Sequence, residues 1–502
     1  MDELTKTNAV ALRQETLHRL PADVEVPRYD RSQLRPGIVH IGLGNFHRAH
    51  QAWYLHRLMQ QGLAHDWAIV GAGVRAGDAV MRDKLLAQDC LTTLIELRPD
   101  GTSAEVCGSM IDFLPVAEDN APLIAAMADP QIRIVALTVT EGGYYLQAAS
   151  GRFDADHPDI RADVASPDSP RTAFGAIVAA LARRKTAGHG PFTVQSCDNL
   201  RGNGAIVREV VTSLARLVDV DLADWIEAHA SFPNSMVDSI VPATGEEEVA
   251  KALALGIEDK APVTHENFRQ WVIEDDFCAG RPPWDKAGAV FSTDVHAYES
   301  MKIRILNAGH QVLANAGELL SMPTIADCMA HPTIAAFFRK VQSDEIAPYV
   351  VPVPGMTASE YAVLIATRFS NPAIRDTTRR VAFDGASRHS GFVLPILRDA
   401  LAAQGTVQGL SLCEALWARM CQGTREDGSQ IAPNDPFWAD LTQQAEAARR
   451  RPDAWLEQSQ YYGDLAQTPE FRDAFSAWLE MLWSAGTEAT LAAYVKGTGT
   501  AE

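Results

Sequence analysis

The chain has 502 residues, 47% hydrophobic and 22% charged, and its 44 Lys and Arg against 64 Asp and Glu leave a net charge of −20. That length and composition describe a globular protein of two or three domains and exclude a disordered or collagen-like chain. So acidic a surface repels phosphate backbones, which excludes a nucleic-acid partner, and no apolar run reaches the ~18 residues a membrane helix needs.

The first twenty residues lack the apolar core of a secretory signal. The seven cysteines are scattered and form no CxxC pair, which reads as reduced thiols in the cytoplasm. A small-molecule enzyme, monomeric or a small homo-oligomer, is the expectation. Gly37-Ile-Val-His-Ile-Gly42 reads as a buried strand running into glycines, followed by a helix over 50–61 and a second apolar strand over 67–74. Further apolar runs at 132–139 and 192–196 alternate with helical stretches, the pattern of βαβ units around a parallel sheet. Beyond about residue 290, Ala- and Leu-rich segments at 300–322, 357–369, 392–404, 412–421, 471–483 and 487–495 repeat at helical period. The expected fold is therefore an α/β Rossmann-like N-terminal domain, 1–290, and a mainly α-helical C-terminal domain, 291–502. The Gly- and Pro-interrupted stretch 279–286 is the expected junction. Ala447-Ala-Arg-Arg-Arg451 reads as a solvated helix face.

Gly42-Leu-Gly44-Asn45-Phe46-His47 stands between a strand and a helix, where dinucleotide folds seat a pyrophosphate against free N–H groups. His47 replaces the third glycine of GxGxxG. Asp78, beyond the second strand, is the candidate acceptor for the adenosine ribose, favouring NAD over NADP, although Arg75 nearby would suit a 2′-phosphate. His47 and His50 have a metal-like spacing but no acidic or cysteine partner in the turn, and no metal is expected. No HExxH, GxSxG or Walker A sequence occurs, and His389-Ser390 reads as turn chemistry.

Lys302-Ile-Arg-Ile-Leu-Asn307-Ala-Gly-His310 carries the most chemistry. On an α-helix Asn307 falls about 140° and His310 about 80° from Lys302, on one broad face shared with Ile303 and Leu306. A desolvated lysine takes a proton from a secondary alcohol near neutral pH, and an asparagine amide donates to the developing alkoxide.

These segments, with Thr138-Val-Thr-Glu-Gly-Gly-Tyr144, Ser196-Cys-Asp-Asn-Leu200, Arg368-Phe-Ser-Asn-Pro372 and Asp384-Gly-Ala-Ser-Arg388, resemble the polyol-specific long-chain dehydrogenases, the mannitol dehydrogenase family. The resemblance spans roughly residues 36 to 400. It implies that Lys302 is the general acid/base, that Asn199 and Asn307 clamp the reactive oxygen, and that His310 holds substrate and lysine. Glu299 would pass the proton to solvent, with Glu141 on the same water path. Val237 and Asp238 would line the nicotinamide and substrate, and Arg380 and Arg388 would meet polyol hydroxyls. The implied reaction is metal-independent, NAD-dependent interconversion of D-mannitol and D-fructose in a cleft between the domains. The family usually has lysine where Arg388 stands. A planar guanidinium suits a carboxylate better than an ammonium does, so a uronate reductase (fructuronate to mannonate) is the alternative, beside D-arabinitol or D-sorbitol oxidation. A binder that kept the fold without turnover would have no need of Lys302, Asn199 and Asn307 together.

Overall fold

The computed structural model describes residues 9–147 and 151–497. The chain forms two compact units, 1–296 and 297–502, the expected boundary having been placed at 290. The first is Rossmann-like. Strands β1 (Pro36–Ile41), β2 (Ala68–Ala72), β3 (Met110–Phe113), β4 (Ile134–Leu137) and β5 (Thr193–Ser196) form one sheet in the order β3-β2-β1-β4-β5. Every neighbouring pair in it is parallel. The β-branched residues of β1 explain its conformation, and alternation splits them between two cores. Val39 and Ile41 join Val135, Leu137 and Val194 on one face, while Ile38 joins Ile69, Ile134 and Ala136 on the other.

Helices cover both faces, as parallel strands require. α1 (Asn45–Ala49) and α2 (Gln51–Gln60) follow β1, and α3 (Asp78–Leu86) follows β2. α4 (Ala173–Thr186) leads into β5 and α5 (Asn203–Val218) leaves it. α4 shows why such a segment is helical: the Thr172 hydroxyl accepts from Gly175 N–H at 2.9 Å, and Arg183, Arg184 and Lys185 complement the dipole of its last turn. A smaller sheet pairs β6 (Ser235–Asp238) antiparallel with β7 (Gln270–Ile273). The stretch 279–286 is not a linker. Trp284 is buried in the first unit's core, and Val290–Phe291 pairs with β7. Two prolines broke the pattern locally while the chain stayed packed.

Among the described residues the second unit has helices and isolated bridges but no strand. It runs through α6 (Val295–Met301), within which the division falls, α7 (Ala308–Leu319), α8 (Ala358–Phe369), α9 (Thr378–Ala382), α10 (Gln408–Cys421) and α11 (Pro469–Ala485). α7 and α10 are buried nearly all round, as central helices must be. The single helix expected over 300–322 is interrupted: Lys302–Asn307 is π-helical, as are Gln342–Ile346 and His389–Val393. The region expected at His389-Ser390 as a turn is instead part of a buried network. His389 Nδ1 meets Glu414 Oε1 at 2.7 Å, its Nε2 meets Asn315 Nδ2 at 3.0 Å, and the ring stacks on Trp417. All seven cysteines are free. No helix among the described residues is long and apolar enough to cross a membrane.

Candidate active site

In the first unit four loops carrying predicted residues leave the carboxyl ends of parallel strands, where open α/β sheets bind ligands. The glycine turn follows β1, whose neighbours β2 and β4 lie on opposite sides, so it occupies the point where strand order reverses. Gly42 has φ +94, and a Cβ there would lie 2.1 Å from the Thr138 carbonyl oxygen, so only glycine fits. Gly44 differs. It is the N-cap of α1 at φ −72, no side chain caps that helix, and a Cβ would meet nothing within 4 Å. The space beside the first N–H groups of α1 is thus kept open by the missing side chain.

The turn is braced from below. The Thr138 hydroxyl donates to the Gly42 carbonyl, and His40 Nε2 donates to that hydroxyl at 2.9 Å. The His47 ring stacks on His40 with centroids 3.4 Å apart. Burial pushes His40 down to about 3 and His47 well below the ordinary value, so both rings are neutral and the stack carries no charge repulsion. Asn45 spends its side chain on structure: Nδ2 donates to the Pro242 carbonyl and Thr244 hydroxyl, each at 2.9 Å, while Oδ1 accepts from Arg48. Phe46 stacks on His50.

Asp78 opens α3, and its Oδ2 accepts from the N–H groups of Val74 and Arg75 at 3.0 and 2.9 Å. One carboxylate oxygen therefore holds the turn after β2. After β4, the N–H groups of Val139 and Thr140 donate to Asp198 at 3.0 and 2.9 Å, and the Tyr144 hydroxyl donates to the same carboxylate at 2.6 Å. Thr140 has φ +66, a conformation that costs a non-glycine residue about 1–3 kcal/mol and needs such a clamp. Glu141 starts the short turn Glu141–Tyr144; its side chain lies outside the described residues. Asn199 is exposed directly after Asp198, while Val237 and Asp238 end β6 and are buried.

In the second unit Glu299 and Lys302 are buried, and Asn307 and His310 are half-buried. The sequence arithmetic of 100° per residue does not hold across Lys302–Asn307. There the backbone bonds from i to i+5, as in Ala308 N–H to the Ile303 carbonyl, which sets residues five apart one turn apart along the axis. Lys302 and Asn307 are such a pair, so the π turn brings them into closer register than an α-helix would. Gln342 Nε2 donates to the Ile305 carbonyl at 2.7 Å, satisfying an acceptor within the distorted segment. The drying side chain is Ile305, fully buried, alongside Leu306; Ile303 is half-buried. Arg304 turns away to Asp399 and the Tyr349 carbonyl.

His310 stacks on Phe369 at 4.2 Å and 15°, which gives the Arg368-Phe-Ser-Asn-Pro372 motif a task. Burial, with Arg380, Arg388 and Arg368 adding to it against Asp376, lowers His310 to about 4 and leaves it neutral near pH 7. Arg380 Nε and Nη2 both donate to Asp376 Oδ1, at 2.7 and 2.6 Å. Arg388 Nη1 donates to the Val381 and Arg380 carbonyls, tying it to α9. Among the described residues no group of three or more His, Cys, Asp and Glu is arranged to hold a metal ion.

Residues 36–286 match the mannitol dehydrogenase Rossmann domain model, and 294–483 match the mannitol dehydrogenase C-terminal domain model. The chain belongs to the mannitol dehydrogenase family. As such it is an oxidoreductase acting on CH–OH groups. A mannitol 2-dehydrogenase of Cereibacter sphaeroides is 56% identical over 465 residues, 93% of this chain and 97% of that one. One from Phaeosphaeria nodorum is 41% identical, covering 94% of this chain and 84% of its own. Among solved structures, the Pseudomonas fluorescens mannitol 2-dehydrogenase ternary complex with NAD and D-mannitol is 40% identical with a TM-score of 0.85, covering 97% of this chain and 100% of that one. A substrate-free D-sorbitol dehydrogenase is 36% identical with a TM-score of 0.90, covering 96% and 100%.

The sequence reading of the family's site omitted four residues that geometry brings forward: His40, Thr138, Asp198 and Asp376. Thr138 and Asp198 lie inside the family's motifs beside Glu141 and Asn199, with nothing in their spacing to mark them as braces. His40 looked like one more residue of an apolar strand, and Asp376 belongs to no motif.

Proposed function

We propose that the protein interconverts D-mannitol and D-fructose at C2, with Lys302 as the acid/base and NAD as the redox partner. The observation that carries this is a buried lysine on a π turn, in register with an asparagine, in a chain 56% identical to a mannitol 2-dehydrogenase. The open space at Gly44 and the uncapped start of α1 fit a pyrophosphate. Gly42, Gly44, Asn45 and Phe46 would hold it through the backbone, Asp78 would take the adenosine ribose through its other oxygen, and Val237 would lie beside the nicotinamide. Bound NAD supplies the acceptor for the hydride that leaves C2.

The rest is done by side chains. During oxidation the Lys302 amine removes the C2 hydroxyl proton, and during reduction the ammonium returns it, so the base must be an amine held away from bulk water. Asn307 and Asn199 donate N–H to the oxygen as negative charge develops; each such donor is worth roughly 10²–10³ in rate. Glu299, one turn before Lys302, accepts the proton onward to solvent, and Glu141 serves the same path. His310, neutral, donates one hydrogen bond and accepts another, which suits a hydroxyl. Asp238, Arg380 and Arg388 take the remaining hydroxyls. The positioned amine and two amides do the work a Lewis-acid metal does elsewhere, so chelator treatment should leave activity unchanged.

D-Sorbitol is a second reading, favoured by the structural match to a D-sorbitol dehydrogenase. The test is a side-by-side assay of D-mannitol and D-sorbitol oxidation and of D-fructose and D-fructuronate reduction, with NAD(H) and NADP(H). The reading predicts the highest kcat/KM for D-mannitol and D-fructose with NAD(H). A strong preference for D-sorbitol, for the uronate or for NADP(H) would replace it.

A further inference from the structure

Asp376 is buried, in the stretch between α8 and α9. Its Oδ1 is saturated by the Arg380 guanidinium through two donors. Its Oδ2 has no hydrogen-bond partner, and neither has His310 Nε2, although both atoms are shielded from solvent. The two atoms face each other at 3.7 Å, too far for a hydrogen bond between them. Two unpaired buried polar atoms are costly, about 1–3 kcal/mol each, more for a charged group, and here they are adjacent. As the side chains stand neither atom is open to a water-sized oxygen, so a hydroxyl enters as the His310 ring and the Asp376 carboxylate part, and then lies about 2.8 Å from each. A hydroxyl there would donate to Oδ2 and accept from an imidazole Nε2–H, satisfying both orphans at once. A carbonyl oxygen or carboxylate would satisfy the imidazole but oppose Oδ2, so the slot discriminates for O–H.

We propose that Asp376 is a substrate-binding residue, its Oδ2 and His310 Nε2 together forming a slot for one hydroxyl of the substrate's carbon chain. Resting on the polyol reading above, this adds a specificity element to it. Asp376 contributes the acceptor, so a substrate carrying a deoxy carbon, keto oxygen or carboxylate at that position is penalised. Arg380 holds the same carboxylate from the other side, fixing its orientation, and Phe369 holds the imidazole plane.

The test compares wild type, Asp376→Asn, Arg380→Ala and the double variant on D-mannitol, D-sorbitol, D-arabinitol and the monodeoxy analogues of whichever parent polyol the wild type oxidises fastest. Thermal unfolding of each variant verifies that it is folded. Expected is a ten- to hundredfold fall in kcat/KM for Asp376→Asn on the parent polyol, expressed mainly in KM. One deoxy analogue should be poor for wild type and lose less than threefold further on Asp376→Asn. The aspartate effect should also persist in the Arg380→Ala background. Equal losses on every analogue, or an effect that vanishes once Arg380 is gone, would make Asp376 only a brace for the arginine and overturn the proposal. So would an Asp376→Asn variant as good as wild type. If the wild type oxidises none of the polyols, the polyol reading itself fails, and the slot falls with it.

Discussion

Four histidines sit where an imidazolium is penalised. Burial lowers His40 and His265 to about 3, His310 to about 4 and His47 well below its ordinary value. In the unfolded chain each binds a proton near pH 6.5, and in the folded chain each does so only some units lower. Between those values the unfolded state holds more protons, so stability must fall as pH falls, by about 1.4 kcal/mol per pH unit for each histidine. Urea unfolding between pH 6.5 and 4.5 should therefore show a steadily decreasing midpoint; a flat midpoint would contradict the buried, neutral assignments. At this scale the sequence was legible where chemistry is local. A lysine, an asparagine and a histidine within nine positions announced themselves, and the Gly42 to Gly44 turn followed from its place after a strand. Asp376 was not legible, because its meaning lies in an atom of His310, 66 positions away along the chain.

Two glycines two residues apart have different jobs at the level of the turn. Gly42 is required by the fold, since a Cβ would strike the Thr138 carbonyl and φ is +94. Gly44 is not required by the fold, since a Cβ there would meet nothing within 4 Å. Gly42→Ala should lower the melting temperature of the protein alone. Gly44→Ala should leave that temperature unchanged, abolish its rise on adding NAD, and raise the KM for NAD at least tenfold; an unchanged KM would remove Gly44 from the dinucleotide site. The π segment behaves as one element with Gln342. Gln342→Leu keeps the bulk but removes the side-chain donor to the Ile305 carbonyl, a hydrogen bond worth about 0.5–1.5 kcal/mol. The segment can then rewind toward an α-helix, which moves Asn307 out of register with Lys302. A fall of tenfold or more in kcat with the KM for NAD unchanged is expected, and full kcat would show that the register does not matter. Periodicity found the helix but could not find its π turn, where the Ile305 carbonyl takes a donor from Gln342, far along the chain. The same limit misread 279–286: prolines mark a break in regular structure, and Trp284 decides which core owns it.

For the whole molecule, alternating apolar strands and helices followed by helices alone were enough to read a Rossmann-like unit and a helical one. The two-faced burial of β1 confirms why that pattern forces a covered parallel sheet. The buried Glu414–His389–Asn315 network of the second unit was invisible beforehand, since its members are dispersed over a hundred residues and each alone looks like a surface group. The central claim is that the Lys302 amine carries the proton. It is tested most directly by the pH dependence of D-mannitol oxidation for wild type and Lys302→Ala, with and without added primary amines. The account predicts that Lys302→Ala loses several orders of magnitude in kcat near neutral pH, and that activity returns in part with amines in proportion to their free-base concentration. Activity near wild type in Lys302→Ala, at any pH between 6 and 9, would contradict it.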